Sequence, residues 1–242
     1  MNAIHSNLLI GLALALSMVA MPAIIQAQST PPAAVTPPLT ATQAPVYKPP
    51  MLGAPATRVG GASRGTQDSG LILSVLAPES TGLTSRAQPT LYWYISKALS
   101  APLEFTLNDD HSIKPLIEIK VNASQPGIHA LRLNYPLKPE VEYQWSLAAV
   151  ADPDQRAGDT LASGTIKQLQ PSAPLTAQLK QASLREQPFR YAQEGFWYDA
   201  IATLSEQIDA HPADRGLREQ RAALLEQEGL KTAAAYDREV RP

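Results

Sequence analysis

The chain has no cysteine in its 242 residues, which excludes a disulfide, a thiolate nucleophile, a thiolate metal site and a lipid-modified cysteine anchor. Charge is also scarce. Lys and Arg number 20 against 22 Asp and Glu, for a net charge of −2, so no long-range pull on nucleic acid or anionic lipid is expected. The four histidines, His5, His111, His129 and His211, are scattered and form no H-E-x-x-H pattern. No Gly-Lys-Ser/Thr loop is present, and Asp109-Asp110 has the look of a hairpin turn. No catalytic residue, metal site or cofactor is therefore expected, and an enzyme ranks third among the readings below.

What is present begins with an apolar run, Leu8 to Ile25, followed by Gln26-Ala27-Gln28. The run, Pro22 and the small Ala27 fit a signal peptide over 1–27, although no Lys or Arg precedes it. A periplasmic or secreted protein is expected. The alternative is a membrane tether, because the run approaches the roughly 20 residues of a spanning helix. Residues 28–50 form a Pro/Ala/Thr linker with too little apolar surface to fold and a preference for extended backbone. Residues 51–70 form a glycine/arginine loop whose Arg58 and Arg64 are candidates for an anion site or for pairing with acids elsewhere.

Over 71–170 the apolar residues alternate. Leu91, Trp93 and Ile95 oppose Tyr92 and Tyr94; Leu103, Phe105 and Leu107 oppose Glu104 and Thr106; Tyr143, Trp145 and Leu147 oppose Gln144 and Ser146. About seven such runs, spaced by turn signals, predict an immunoglobulin-like antiparallel β-sandwich. Trp145, Tyr143 and Trp93 are its expected core. Asp152, Arg156 and Asp159 surround an Asp-Pro turn and are a second candidate loop site, the plainer alternative being a turn with a local Arg–Asp pair.

After Pro171 the period becomes helical, and 171–242 is expected to be a small tetratricopeptide-like α-helical domain, giving an α+β chain overall. Gly195 and Gly229, Ala200 and Ala234, and Tyr191 and Leu225 each stand 34 positions apart, the tetratricopeptide period. Gly195, Ala200 and Leu204 are expected to pack the first unit, and Arg238 falls where Leu204 should recur. Two repeats are too few for a free-standing solenoid. Apolar surface is therefore expected to be left over for a protein partner in the envelope, with Tyr191, Trp197, Tyr198 and Leu225 as the candidate contacts.

Four stretches in series, GAPATRVGGASRG (53–65), VLAPESTGLTSRAQPTLYWYIS (75–96), EYQWSLAAVADPDQRAGD (142–159) and GFWYDAIATL (195–204), resemble the bacterial domain-of-unknown-function family 928. The resemblance spans Gly53 to Leu230. It implies an exported protein and supplies no catalytic residues. It also implies cysteines after the Arg64-Gly65 pair and before the Asp152-Pro153 turn in many members; Gln67, Asp68 and Ala151 occupy those regions here. Two functions from different classes are expected in order: a non-catalytic interaction or adaptor module, and, as the alternative, a glycan-binding module using the sandwich aromatics.

Overall fold

The computed structural model describes residues 43–50, 58–61, 70–109 and 113–239. The expected signal peptide, residues 28–42 of the linker and Arg64 lie outside them. Among the described residues no helix is long and apolar enough to cross a membrane.

Among the described residues nine strands precede five helices: β1 (Val59–Gly61), β2 (Ile72–Val75), β3 (Gly82–Thr84), β4 (Thr90–Ile95), β5 (Leu103–Asp109), β6 (Ile117–Val121), β7 (Gly127–Arg132), β8 (Glu142–Ala149), β9 (Thr160–Gln168), then α1 (Ala173–Gln181), α2 (Gln187–Gln193), α3 (Trp197–Ala210), α4 (Arg215–Gln227) and α5 (Lys231–Glu239). The chain is thus mixed α+β. The seven alternating runs all form strands. The two additional strands, β1 and β3, are three residues each, too short for a period of two to register in sequence.

The strands form two sheets, in the orders β1-β2-β4-β7 and β3-β9-β8-β5-β6. Neighbours pair antiparallel except β3, which lies parallel to β9 with Leu83 opposite Lys167. Alternation sorts the side chains as period two demands: Leu103, Phe105 and Leu107 on β5 and Tyr143, Trp145 and Leu147 on β8 are all fully buried. At the sheet edge β6 is the exception, with Ile119 42% exposed.

The helices start and stop where local chemistry dictates. The Ser172 side chain caps α1 by accepting from the Leu175 N–H, and Asp214 caps α4 by accepting from the Gly216 and Leu217 N–H groups. Gly195 and Gly229 follow α2 and α4 at φ of 80° and 72°, the left-handed conformation that ends a helix and that glycine enters without strain. Arg238 does not enter the core; it pairs at the surface with Glu219 and Glu226, as a polar end to the array would.

Two expectations are corrected. The sheets and helices are not separate domains divided at 171: the described residues between 43 and 239 fall in one compact unit. A single apolar cluster runs from Leu73, Phe105 and Trp145 in the sheets to Trp197, Leu204 and Leu225 in the helices. The linker boundary at 50 is also wrong for its last residues. Pro45 and Tyr47 are buried, and an ordered strap of residues 43–50 belongs to the folded unit.

The three C-terminal helices α3, α4 and α5 are joined by one buried ion pair. Arg221 on α4 makes two hydrogen bonds to Asp237 on α5, at 2.7 and 2.6 Å, and a third to the Ser205 hydroxyl on α3 at 2.7 Å. Both charges are buried, so removing one strands the other. Asp237→Ala is expected to cost about 3–5 kcal/mol in urea unfolding, whereas the apolar exchange Arg221→Met with Asp237→Leu should stay within a few kcal/mol of the parent. Equal losses from both variants would contradict that assignment.

Candidate interaction site

The helices meet their surroundings through the N-terminus of α3. The Trp197 indole N–H donates to the Leu76 carbonyl at 2.8 Å. The Tyr198 hydroxyl accepts from the Trp145 indole N–H at 2.9 Å and donates to the Thr165 carbonyl at 2.9 Å. Burial pushes the Tyr198 phenol up, well above its usual range, against the opposing effect of the Trp145 bond. One residue further on, the Asp199 carboxylate accepts from the Ser85 N–H at 2.8 Å and the Ser85 hydroxyl at 2.7 Å, with Arg86 Nε at 3.7 Å. Burial raises the Asp199 carboxyl above the ordinary value, and the Ser85 bonds and Arg86 work against that rise. These contacts fasten the loop after β3 to the first turn of α3, where a carboxylate also suits the helix dipole.

Three of the four candidate partner contacts are therefore corrected. Trp197, Tyr198 and Leu225 are 0, 2 and 0% exposed and serve the chain's own core; Tyr191 alone stays half-buried, beside Phe196 at 6.3 Å between ring centroids. The expected aromatic platform is covered in the same way. Tyr92, Trp93 and Tyr94 are all buried: Tyr94 lies against Tyr236 of α5 and Trp93 stacks on His129. Burial pushes the Tyr92 phenol up to about 12, with Glu206 and Asp209 adding to it. Among the described residues, β4 therefore keeps no exposed aromatic.

The two candidate loop sites are not one site. Arg58 donates to the Glu228 carbonyl and pairs with Glu79 at 2.8 Å. Arg156 instead pairs with Asp159 and Glu104, both at 2.6 Å, and Asp152 accepts from the Asp154 N–H in its own turn. The plainer alternative describes that turn. The residues expected in the core, Trp145, Tyr143, Trp93, Ala200 and Leu204, are all buried.

The feature that sequence reasoning missed is the strap. Proline at 45, 49 and 50 favours extended backbone. Period two then turns Pro45 and Tyr47 inward and leaves Val46 62% exposed. The Tyr47 ring meets Trp197 edge-on at 4.8 Å. The strap's backbone is read on both sides: Lys48 N–H donates to the Ala192 carbonyl at 3.0 Å, Tyr47 N–H to Gln227 Oε1 at 2.9 Å, and Gln227 Nε2 to the Pro45 carbonyl at 2.8 Å. The Gln227 amide thus plays the part of a neighbouring strand. The available signal was Tyr47 itself, the one aromatic between residues 28 and 50.

The class is now defined: a mixed α+β protein whose antiparallel sheets lead into a C-terminal helical array. Residues 59–237 match the family described as Domain of Unknown Function (DUF928), and the chain belongs to that family. No curated protein matches it. Among solved structures, a multi-domain immunophilin from Arabidopsis thaliana is 9% identical, with 78% of this chain and 97% of that chain covered and a TM-score of 0.17, a value too low to carry fold or function.

Gly195 and its 34-residue counterpart Gly229 make a matched test of the strap. Alanine at either position meets the same left-handed backbone, at about 1–2 kcal/mol. At Gly195 a Cβ would also stand 3.0 Å from Pro50 Cδ and 3.3 Å from the Lys48 carbonyl, whereas at Gly229 nothing lies within 4 Å. Gly195→Ala should lose at least about 1 kcal/mol more than Gly229→Ala in urea unfolding; equal losses would show that the strap does not press on this turn.

Proposed function

We propose that this chain is an exported, non-catalytic interaction protein of the cell envelope, in which an immunoglobulin-like sandwich supports a tetratricopeptide-like pair of helical hairpins. Export rests on the apolar run before Ala27. The repeat reading is supported by matched positions 34 residues apart: Gly195 and Gly229 share the left-handed conformation, and Ala200 and Ala234 are both fully buried. The observation that carries the interaction reading is the strap, an extended peptide segment already held across the helical array by backbone hydrogen bonds and one buried ring. A helical surface that reads peptide backbone in this way is a recognition surface.

The site of contact is accordingly placed at the strap end of the array and not on the side chains buried beneath it. A photo-crosslinking residue at the exposed Gln193, beside the strap, is expected to yield a discrete protein adduct in intact cells. The same residue at the exposed Lys120, on the β6 edge, should yield none. Absence of an adduct at Gln193, or an adduct at Lys120 only, would overturn this reading.

A further inference from the structure

The strap's fit is tight in its backbone and imperfect at its tip. The Tyr47 hydroxyl is buried beside the Ser80 hydroxyl, yet neither oxygen has a hydrogen bond of ordinary geometry. Burial, with Glu228 nearby, drives the Tyr47 phenol far above its usual range. A hydroxyl that leaves water without gaining a partner weakens binding, so the seat under Tyr47 is shaped for an aromatic ring and not for its oxygen. Everything else that holds the strap is independent of sequence or asks only for proline. Gln227 and Ala192 bind main-chain atoms, Gly195 leaves room for Pro50, and Trp197 makes a T-shaped ring contact.

We propose that the seat between Gly195, Trp197 and Gln227 is a peptide-binding site for an extended Pro-x-Phe segment of another envelope protein, and that residues 44–50 are a weaker occupant held there in cis. The inference deepens the interaction reading above and rests on it. Tethering gives the strap a high effective concentration, so a free peptide must outcompete it, and a phenylalanine in place of tyrosine is the change that does so. The strap is then an autoinhibitory contact: the site is closed until a better segment arrives.

The test uses the full chain and a labelled peptide, Ala-Pro-Val-Phe-Lys-Pro-Pro, followed by fluorescence anisotropy. Tyr47→Asp places a charge where the ring sits and should free the site. This variant is expected to bind the peptide at least about a hundredfold more tightly than the unaltered chain. Adding Gln227→Ala should weaken that binding about tenfold, and the tyrosine form of the peptide should bind about tenfold more weakly than the phenylalanine form. A folded Tyr47→Asp chain with no saturable binding, or binding indifferent to Gln227→Ala, overturns the proposal. So does concentration-dependent dimerisation of the unaltered chain that Gln227→Ala abolishes, which would make a second copy the occupant. Should Tyr47→Asp fail to fold, hydrogen exchange on the unaltered chain decides. Amides of Tyr47 and Lys48 exchanging at least about a hundredfold faster than that of Trp145 show a strap that opens locally; equal rates show permanent core and overturn the proposal. A crosslinked partner at Gln193 with no peptide binding would sink this inference alone, whereas loss of both would sink the interaction reading with it.

Discussion

The Tyr198 hydroxyl is the point on which the molecule turns. It belongs to a helix, accepts from a tryptophan at the centre of one sheet and donates to a carbonyl of the neighbouring strand. Trp145 is fully interior, so its bond cannot be exchanged for water without opening the core. Around it the packing leaves no slack: a Cβ on Gly82 would stand 2.6 Å from the Tyr198 ring, and one on Gly164 would stand 2.5 Å from Ala77. Glycines at these two strand positions let the helix approach the sheets closely enough for the hydroxyl to reach Trp145.

From that constraint the rest of the architecture follows. Fixing Tyr198 fixes its neighbours, so Trp197 reaches the Leu76 carbonyl and Asp199 meets Ser85. The helical array is then supported from one side by the sheets, which supplies what two repeats lack alone. The strap also covers Trp197 and is held by Gln227. The leftover apolar surface expected of a short repeat array is thus covered twice within the chain. Among the described residues of the helical part, Leu184 is the one large apolar side chain that stays exposed.

Legibility in the sequence followed the length of the pattern. Strands of five or more residues with clean alternation, such as β5 and β8, and helices bounded by Gly195, Pro212 and Gly229, were readable because period and punctuation are local properties. Burial on a second face was not readable. Tyr92 and Tyr94 alternate as outward residues should, and only the tertiary placement of α3 and α5 turns them inward. For the same reason Trp197 and Tyr198 passed for surface anchors: an exposed hot spot and a core aromatic look alike in sequence. Asp199 gave no signal either, since its partner Ser85 is 114 positions away. The strap is not legible in sequence because proline-rich composition predicts extended backbone correctly and says nothing about whether that backbone is seated on something.

The central claim is that sheets and helices form one cooperative body around a shared core. Urea unfolding followed at 222 nm, where the helices dominate, and by fluorescence, where Trp93 and Trp145 report the sheets alongside Trp197, tests it most directly. The account predicts a single transition with the same midpoint in both signals. Loss of the helical signal at lower urea, with a second fluorescence step to follow, would show two separable bodies and contradict it.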